Sequence, residues 1–498
     1  MKESKKFRFN NILFALVLLF ILIQLYPSFN RSSNNFDKLG HVEELYKIIL
    51  NNYHKSISED TLVQFIRDGI FNNLDPFTQY ISKEDLMRIN EDFAGDFYGI
   101  GVQFSIIRDT VTIIKVIDNG PSQKENILSG DRIIKVNGKD FTGPAVDNDM
   151  VMNTLRGARG EKVELTILRK NNKLKKTLYR DAIPLNSVDS YYLIKDDIGY
   201  IKLEKFSSTT FKEFRAAIVD LKNQGAKKLI LDLRNNGGGY LNQAVDVANE
   251  FLNSGLEIVS TDGEYREKKV YYSNKRGAFK EGHLVVLINE NSASASEILS
   301  GAIQDHDRGF IVGNKSFGKG LVGEQINLKD GGALRITVAE YYTPSGRSIQ
   351  RPYNFSDSSS FKKEFKTSGG RIVYSDGGIT PDYIVSVDTM TNFESKFWNN
   401  NYNLLYEKSF DIVDQNRKKI RNNYIEYFNQ NKNKLWIEIL KLSENDEEME
   451  SYKEKFIKLF ENMILNHALS SEELIRFYNK EDDFIEKALN LLSNDYNL

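Results

Sequence analysis

The residues Leu284-Val-Val-Leu-Ile-Asn289, Ser292-Ala-Ser294 and Ala295-Ser-Glu-Ile-Leu-Ser-Gly-Ala-Ile-Gln-Asp305 read as one strand, one turn and one helix. An unbroken apolar run of this length fits a strand covered on both faces, as parallel sheets require. Upstream, Lys228-Leu-Ile-Leu-Asp-Leu233 repeats the pattern, and a helix is expected over 241–252 with Ala244, Val245, Ala248 and Phe251 inward. Downstream, Gly309-Phe-Ile-Val-Gly313 is a third short strand. From about 188 to 388 strands alternate with helices, which implies an α/β sheet with helices packed on it.

The flanking regions have different periods. Leu39, Val42, Leu45, Tyr46 and Leu50, then Leu62, Phe65, Ile66, Ile70 and Phe71, recur at helical spacing and make 31–95 a helical lead-in. Between 96 and 187 come short strands such as Val111-Thr-Ile-Ile-Lys-Val-Ile and Val163-Glu-Leu-Thr-Ile-Leu, with turns at Asp118-Asn-Gly-Pro, Leu128-Ser-Gly-Asp and Asn137-Gly. A helix is expected over 146–155. From 391 to 498 the chain is rich in Asn, Lys and Glu, and Phe456–Leu465 and Phe484–Leu492 are helical in period.

Composition narrows the chemistry. The chain has 498 residues, with 67 Lys plus Arg against 69 Asp plus Glu. That balance lacks the basic excess of a nucleic-acid binder. There is no cysteine, which excludes disulfides, a thiolate nucleophile and Cys-ligated metal. The five histidines, at 41, 54, 283, 306 and 467, include no pair at the spacing of a zinc helix, so no metal and no cofactor is expected.

At the amino terminus, Lys2, Lys5, Lys6 and Arg8 precede the apolar run Ile12–Ile23. A basic segment followed by an apolar one is an export signal. No small-residue cleavage site follows, so residues 1–30 are expected to stay as a signal anchor rather than be removed as a signal peptide. Positive-inside logic then leaves the basic end in the cytoplasm and the remainder outside the inner membrane.

Ser294 stands where sheet ends and helix begins. The free N–H groups and positive dipole end of a helix start suit a developing oxyanion. Ser294-x-x-Glu297 equally fits a capping box, and that alternative stands on this motif alone. The second feature is Ser316-Phe-Gly-Lys319-Gly-Leu-Val-Gly323, where 319 − 294 = 25 residues hold one helix and one strand. Lys319 can therefore return to the same end of the sheet as Ser294. A lysine between two glycines beside apolar residues is unlike a solvated surface lysine, and burial disfavours its charged form. To act as a base near neutrality the amine must fall from about 10.4 by about three units. A neutral amine can take the serine proton. The third feature is Leu231-Asp-Leu-Arg-Asn-Asn-Gly237-Gly-Gly239-Tyr, a strand ending in glycines before a helix. It lacks the Gly-Lys-Ser/Thr of a phosphate loop, and Gly238, Gly239 and the N–H of Ala295 are candidate oxyanion donors. His306-Asp307 lies beyond the far end of the 295–305 helix, roughly 16 Å from its start at about 1.5 Å per residue, too far to serve Ser294.

Taken in order, Ser292-Ala-Ser-Ala-Ser-Glu, Phe317-Gly-Lys-Gly, Tyr342-Thr-Pro-Ser-Gly-Arg and Gly377-Gly-Ile-Thr-Pro-Asp resemble the carboxyl-terminal processing proteases, also called tail-specific proteases. The glycine turn after Leu231 is similar to that family's glycine loop. The resemblance runs from about 40 to 388. It implies a crotonase-like layered protease core over 188–390, an inserted PDZ domain over 96–187, and a serine–lysine dyad with Ser294 as nucleophile and Lys319 as general base. The family usually places a glutamine four residues after the lysine. Here that position is Gly323, and Gln325 is the candidate substitute.

Phe97-Tyr98-Gly99-Ile100-Gly101-Val102 resembles the carboxylate-binding loop of PDZ domains, whose consecutive N–H groups capture a chain terminus; an ordinary glycine-turn hairpin is the other reading. The resemblance to the processing proteases implies an endopeptidase that acts on proteins with accessible carboxyl termini; with the amino-terminal signal, it is expected to be exported, membrane-anchored and periplasmic in the bacterial envelope. An adaptor or a second copy of the chain is a possible partner, and a silent PDZ scaffold that only binds carboxyl tails is the alternative function.

Overall fold

The computed structural model describes residues 38–353, 362–386, 389–443 and 446–493. The expected signal anchor over 1–30 lies outside the described residues. No helix among the described residues is long and apolar enough to cross a membrane. The chain divides into two compact units, one ending at Pro76 and the other beginning at Phe77.

The first unit contains the helices Lys38–Asn52 and Glu59–Phe71. Ser58 caps the second helix by accepting the Thr61 N–H, and Glu59 and Asp60 complement its positive end.

The second unit contains the core. A six-stranded sheet runs in the order 188–195, 198–203, 228–232, 284–288, 310–313, 383–384. Its first pair is antiparallel and the rest are parallel. Leu284–Ile288 is buried at every position, as its continuous apolar run requires. One face packs Leu229, Leu231 and Val286 against Phe214, Ala248, Leu299 and Ile303 from the helices Thr210–Asn223, Leu241–Asn249 and Ala295–Asp305. The other face packs Tyr200, Val285 and Val312 against Phe484, Ile485 and Ala488. That covering helix, Asp483–Ser493, comes from the end of the chain. The carboxyl-terminal region is thus partly a layer of the core.

A second, antiparallel sheet departs from simple strand–helix alternation. It pairs Ala333–Tyr342 with Leu321–Asn327 on one edge, and with Gln79–Ile81 and Glu257–Gly263 on the other. Arg266–Tyr272 continues it. This sheet carries the residues after Lys319 back towards the Ser294 turn.

Residues 102–179 form a separate six-stranded sheet around Ile113, Ile133, Val151 and Leu165. It joins the core through a two-stranded ribbon, Asp96–Gly99 with Asp181–Pro184. In the carboxyl-terminal region the helices Asn392–Asn422, Tyr424–Leu440 and Lys453–Ala468 share a buried core of Leu405, Val413, Trp436, Phe456 and Phe460.

Candidate active site

Ser294 is the residue before the helix Ala295–Asp305, with φ 55° and ψ −111°. Such a backbone in a non-glycine residue costs roughly 1–3 kcal/mol and persists only where its surroundings hold it. Here they do. The Ser294 N–H donates to Glu297 Oε2 at 2.8 Å, and its carbonyl accepts the N–H groups of Glu297 and Ile298 at 2.8 and 2.9 Å. Ser292 and Ser296 serve the frame. The Ser292 hydroxyl donates to the Leu233 carbonyl at 2.8 Å, and that of Ser296 to the Asn236 carbonyl at 2.9 Å.

Glu297 is fully buried and is the knot of the site. Its Oε1 accepts the Ser316 hydroxyl at 2.5 Å and the Gly318 N–H at 2.7 Å. Its Oε2 accepts the N–H groups of Ser294 and of Lys319, the latter at 2.9 Å. Burial pushes its pKa up, and the hydrogen bonds from Ser316, Lys319, Ser294 and Gly318 oppose that rise. The capping reading of Ser294-x-x-Glu297 and the nucleophile reading are therefore compatible: the carboxylate does the capping while also holding the lysine turn.

Tyr341, buried on the strand Ala333–Tyr342, closes the arrangement. Its hydroxyl lies 3.1 Å from the Ser294 carbonyl and also hydrogen-bonds the Lys319 carbonyl. Burial, then the Glu297 charge, drives its pKa well above the ordinary value, so the hydroxyl keeps its proton. Phe317 N–H to Ser292 carbonyl at 3.0 Å adds a direct backbone tie between the two turns.

Lys319 and Ser294 are both half-buried and both line one cleft of about 1730 Å³. The Lys319 Nζ lies 4.5 Å from the centre of the Phe77 ring, whose face attracts a cation. The lysine is thus not sealed from water, as its apolar sequence neighbours had implied.

The glycine turn approaches Ser294 closely. A Cβ on Gly238 would stand 2.9 Å from both Ser294 Cβ and Ala295 N, at φ +97°. One on Gly239 would stand 2.1 Å from the Phe206 carbonyl oxygen. The Gly238 N–H donates to Asn236 Oδ1 at 2.9 Å. No hydrogen bond among the described residues takes up the N–H of Gly239 or of Ala295.

Gln325 is the candidate substitute for the glutamine that Gly323 replaces. It shares the cleft and the strand Leu321–Asn327, but it is exposed and its amide turns to Asn90 Oδ1 and Asn327 Oδ1, both at 3.5 Å. His306 caps the carboxyl end of the helix Ala295–Asp305 with Nε2 2.6 Å from the Glu257 carbonyl, away from Ser294. Arg347, fully buried, pairs with Asp305 at 2.8 Å and belongs to the frame.

In the small domain, Ile100 and Gly101 carbonyls accept the N–H groups of Ser122 and Ile117, both at 3.0 Å. Because a trans peptide sets C=O and N–H opposite one another, this turns the Gly101 N–H outward. Gly101 adopts φ +76°, and Tyr98 is exposed while Ile100 is buried. Gly99 ends the ribbon strand, and Val102 begins the next strand.

Sequence reasoning missed Glu297 as a lysine-side partner and Tyr341 altogether. The Ser-x-x-Glu spacing was a usable signal for the first. For the second no local signal exists.

Comparison with known proteins follows the same lines. The description Peptidase family S41 matches residues 197–355, and PDZ domain matches residues 99–178. A carboxy-terminal-processing protease of Bartonella bacilliformis is 36% identical over 328 residues, covering 64% of this chain and 74% of that protein. A probable CtpA-like serine protease of Staphylococcus aureus is 34% identical over 356 residues, covering 69% and 71%. The solved photosystem II D1 C-terminal processing protease is 26% identical, covering 69% of this chain and 86% of its own at a TM-score of 0.39.

Proposed function

The chain belongs to peptidase family S41, among the carboxy-terminal-processing serine proteases, and on that premise we propose that it is an exported endopeptidase that cuts near protein carboxyl termini by a Ser294–Lys319 acyl-enzyme mechanism. The observation that carries this reading is the Glu297 carboxylate, which holds the backbone of both turns at once.

Ser294 Oγ attacks the scissile carbonyl carbon while neutral Lys319 Nζ accepts its proton. The tetrahedral oxyanion is held by the N–H groups of Ala295 and Gly239, assisted by the start of the nucleophile helix. The C–N bond breaks as Lys319 returns the proton to the leaving amine. Water, deprotonated by Lys319, then hydrolyses the ester to Ser294 and a new carboxylate. The loop Tyr98–Val102 receives the substrate's terminal carboxylate, with Gly101 N–H among its donors. The basic-then-apolar residues 1–30 anchor the protein in the inner membrane with its catalytic part outside the cytoplasm.

The test is turnover of an unstructured protein by the wild type beside Ser294→Ala and Lys319→Ala. Loss in both variants is expected. Equal turnover by all three would remove the mechanism, and absence of turnover by the wild type itself would favour a scaffold that only binds tails. Fractionation of cells, with protease added to intact spheroplasts, tests the membrane placement: degradation of the folded part is expected, and its protection would remove it.

A further inference from the structure

The small domain is attached to the protease core by the ribbon Asp96–Gly99 with Asp181–Pro184, beside the ion pair Arg156–Glu91. A two-stranded ribbon is a weak fixture, since isolated pairs are marginal and hinge motion concentrates in a few such residues. A second attachment comes from the carboxyl-terminal region. Arg108, at the tip of the hairpin formed by Val102–Ile107 and Thr110–Val116, meets Asp411 through Nη2–Oδ2 at 2.6 Å and Nη1–Oδ1 at 3.3 Å. Its Nε reaches Glu407 at 3.1 Å. Phe410, fully buried, packs on Ile107 and Ile114. Arg132 lies 5.7 Å over the Phe410 ring and 3.6 Å from Asp414. A Cβ on Gly130 would come within 2.8 Å of Asp414 Oδ1.

The tip residues are informative in themselves. Arg108 and Asp109 have φ 49° and 55°, the two-residue hairpin geometry in which Asn and Gly are favoured. Arginine in that conformation costs about 1–2 kcal/mol. A local turn requirement does not account for it, whereas a planar fork on Asp411 and Glu407 does. The helix Asn392–Asn422 that carries these carboxylates is in turn tied to the core. It belongs to the bundle packed round Phe456 and Trp436, and the chain beyond that bundle is pinned by Arg476 stacked 3.9 Å over Tyr192, by Asp482–Arg234 at 2.7 Å, and by the helix Asp483–Ser493 under the sheet. The bundle thus bridges core and small domain.

We infer that this bridge is a brace that sets specificity: Arg108, Phe410 and Asp411 fix the distance from the carboxylate loop to Ser294, and thereby the position of the first cut relative to the substrate's carboxyl terminus. The inference rests on the peptidase reading above. Gln103, which directly follows the carboxylate loop, residues 114–119 of the small domain and Ser294 line the same cleft. An extended peptide covers about 3.3 Å per residue. A small domain free to swing by that much moves the cut by one position.

The experiment maps the earliest products of an unstructured protein by mass spectrometry, using the full chain. The wild type is expected to cut first at one or two positions a fixed number of residues from the terminus. Arg108→Ala and Asp411→Ala are each expected to spread first cuts over several neighbouring positions, with total turnover within about threefold. The double variant is expected to be no broader than either single one. Because the chain has no cysteine, Arg108→Cys with Asp411→Cys can be joined by a short bis-maleimide. The unlinked pair is expected to cut broadly, and linking is expected to restore the narrow pattern. A wild type that cuts without fixed spacing, or variants whose pattern matches the wild type, overturns the brace while leaving the peptidase. Turnover that survives Ser294→Ala overturns the reading beneath it and the brace with it.

Discussion

The Oε2 atom of Glu297 lies 2.9 Å from the backbone nitrogen of Lys319, a residue separated from it by a helix, a strand and two turns. The same atom lies 2.8 Å from the backbone nitrogen of Ser294. One buried carboxylate oxygen thus ties together the two turns that carry Ser294 and Lys319. The other oxygen fastens Ser316 and Gly318. All four neighbours are donors, which suits a carboxylate and no isostere of it.

Glu297→Gln should therefore be severe despite its small change in shape. The amide nitrogen would face two donors and leave both unsatisfied. Each buried group left without a partner costs about 1–3 kcal/mol. We expect peptidase activity to fall by more than about a hundredfold and the unfolding midpoint in urea to drop. Near-wild-type turnover by a folded Glu297→Gln protein would contradict the role of this carboxylate.

Tyr341→Phe removes one hydroxyl from the same frame and leaves the buried ring. The expected result is a fall in kcat of about tenfold with KM little changed, because the hydroxyl touches the Ser294 and Lys319 backbones and not the substrate. Stability should fall by only about 1 kcal/mol. A rise in KM at constant kcat would show that the hydroxyl acts in binding instead.

Gln325→Ala should leave the rate within about twofold, since that amide faces Asn90 and Asn327. Gly323→Gln is the informative partner. A Cβ there meets Arg335 Cγ at 3.6 Å, an ordinary contact, and Gly323 does not need a positive φ. It should fold and raise kcat several-fold by giving Lys319 the supporting amide that the family usually has. Steady-state rates of both variants check this, and a slower Gly323→Gln enzyme would speak against it.

Acid should loosen the brace. His467 is buried edge-on against Tyr406 at 4.5 Å and Phe410 at 5.7 Å. Burial, then the Arg417 charge, holds its pKa down to about 4; the Tyr406 backbone opposes this and Lys115 adds to it. Between that value and the ordinary 6.5 the unfolded chain binds more protons than the folded one, so stability falls as pH falls through this window. The loss approaches roughly 3 kcal/mol near pH 4. Urea midpoints measured from pH 7 to pH 4.5 should fall less steeply in His467→Phe than in the wild type. Parallel curves would remove His467 from the account.

Much of the site was legible because its signals are local. The run Leu284–Ile288 declares a strand covered on both faces, and the serine after it stands at a helix start whatever else the chain does. The glycines at 238 and 239 declare a backbone that permits no side chain, and the contacts a Cβ would make there give the reason. The orientation of the Gln325 amide was not legible. Strand alternation puts Gly323 and Gln325 on one face, but only the packing shows that the amide reaches towards Asn90.

The order of strands and helices, the glycine turns and the serine at the helix start follow from the chain's own periodicity, because each depends on residues within one or two turns of one another. Tyr341 bridging two carbonyls, Glu297 reaching the lysine turn, the last helix under the sheet and Arg108 gripping Asp411, 303 positions away in the chain, are decided in three dimensions. Spacing carries no record of such contacts. They exist only once separately formed layers have packed and brought distant polar groups to the same desolvated place.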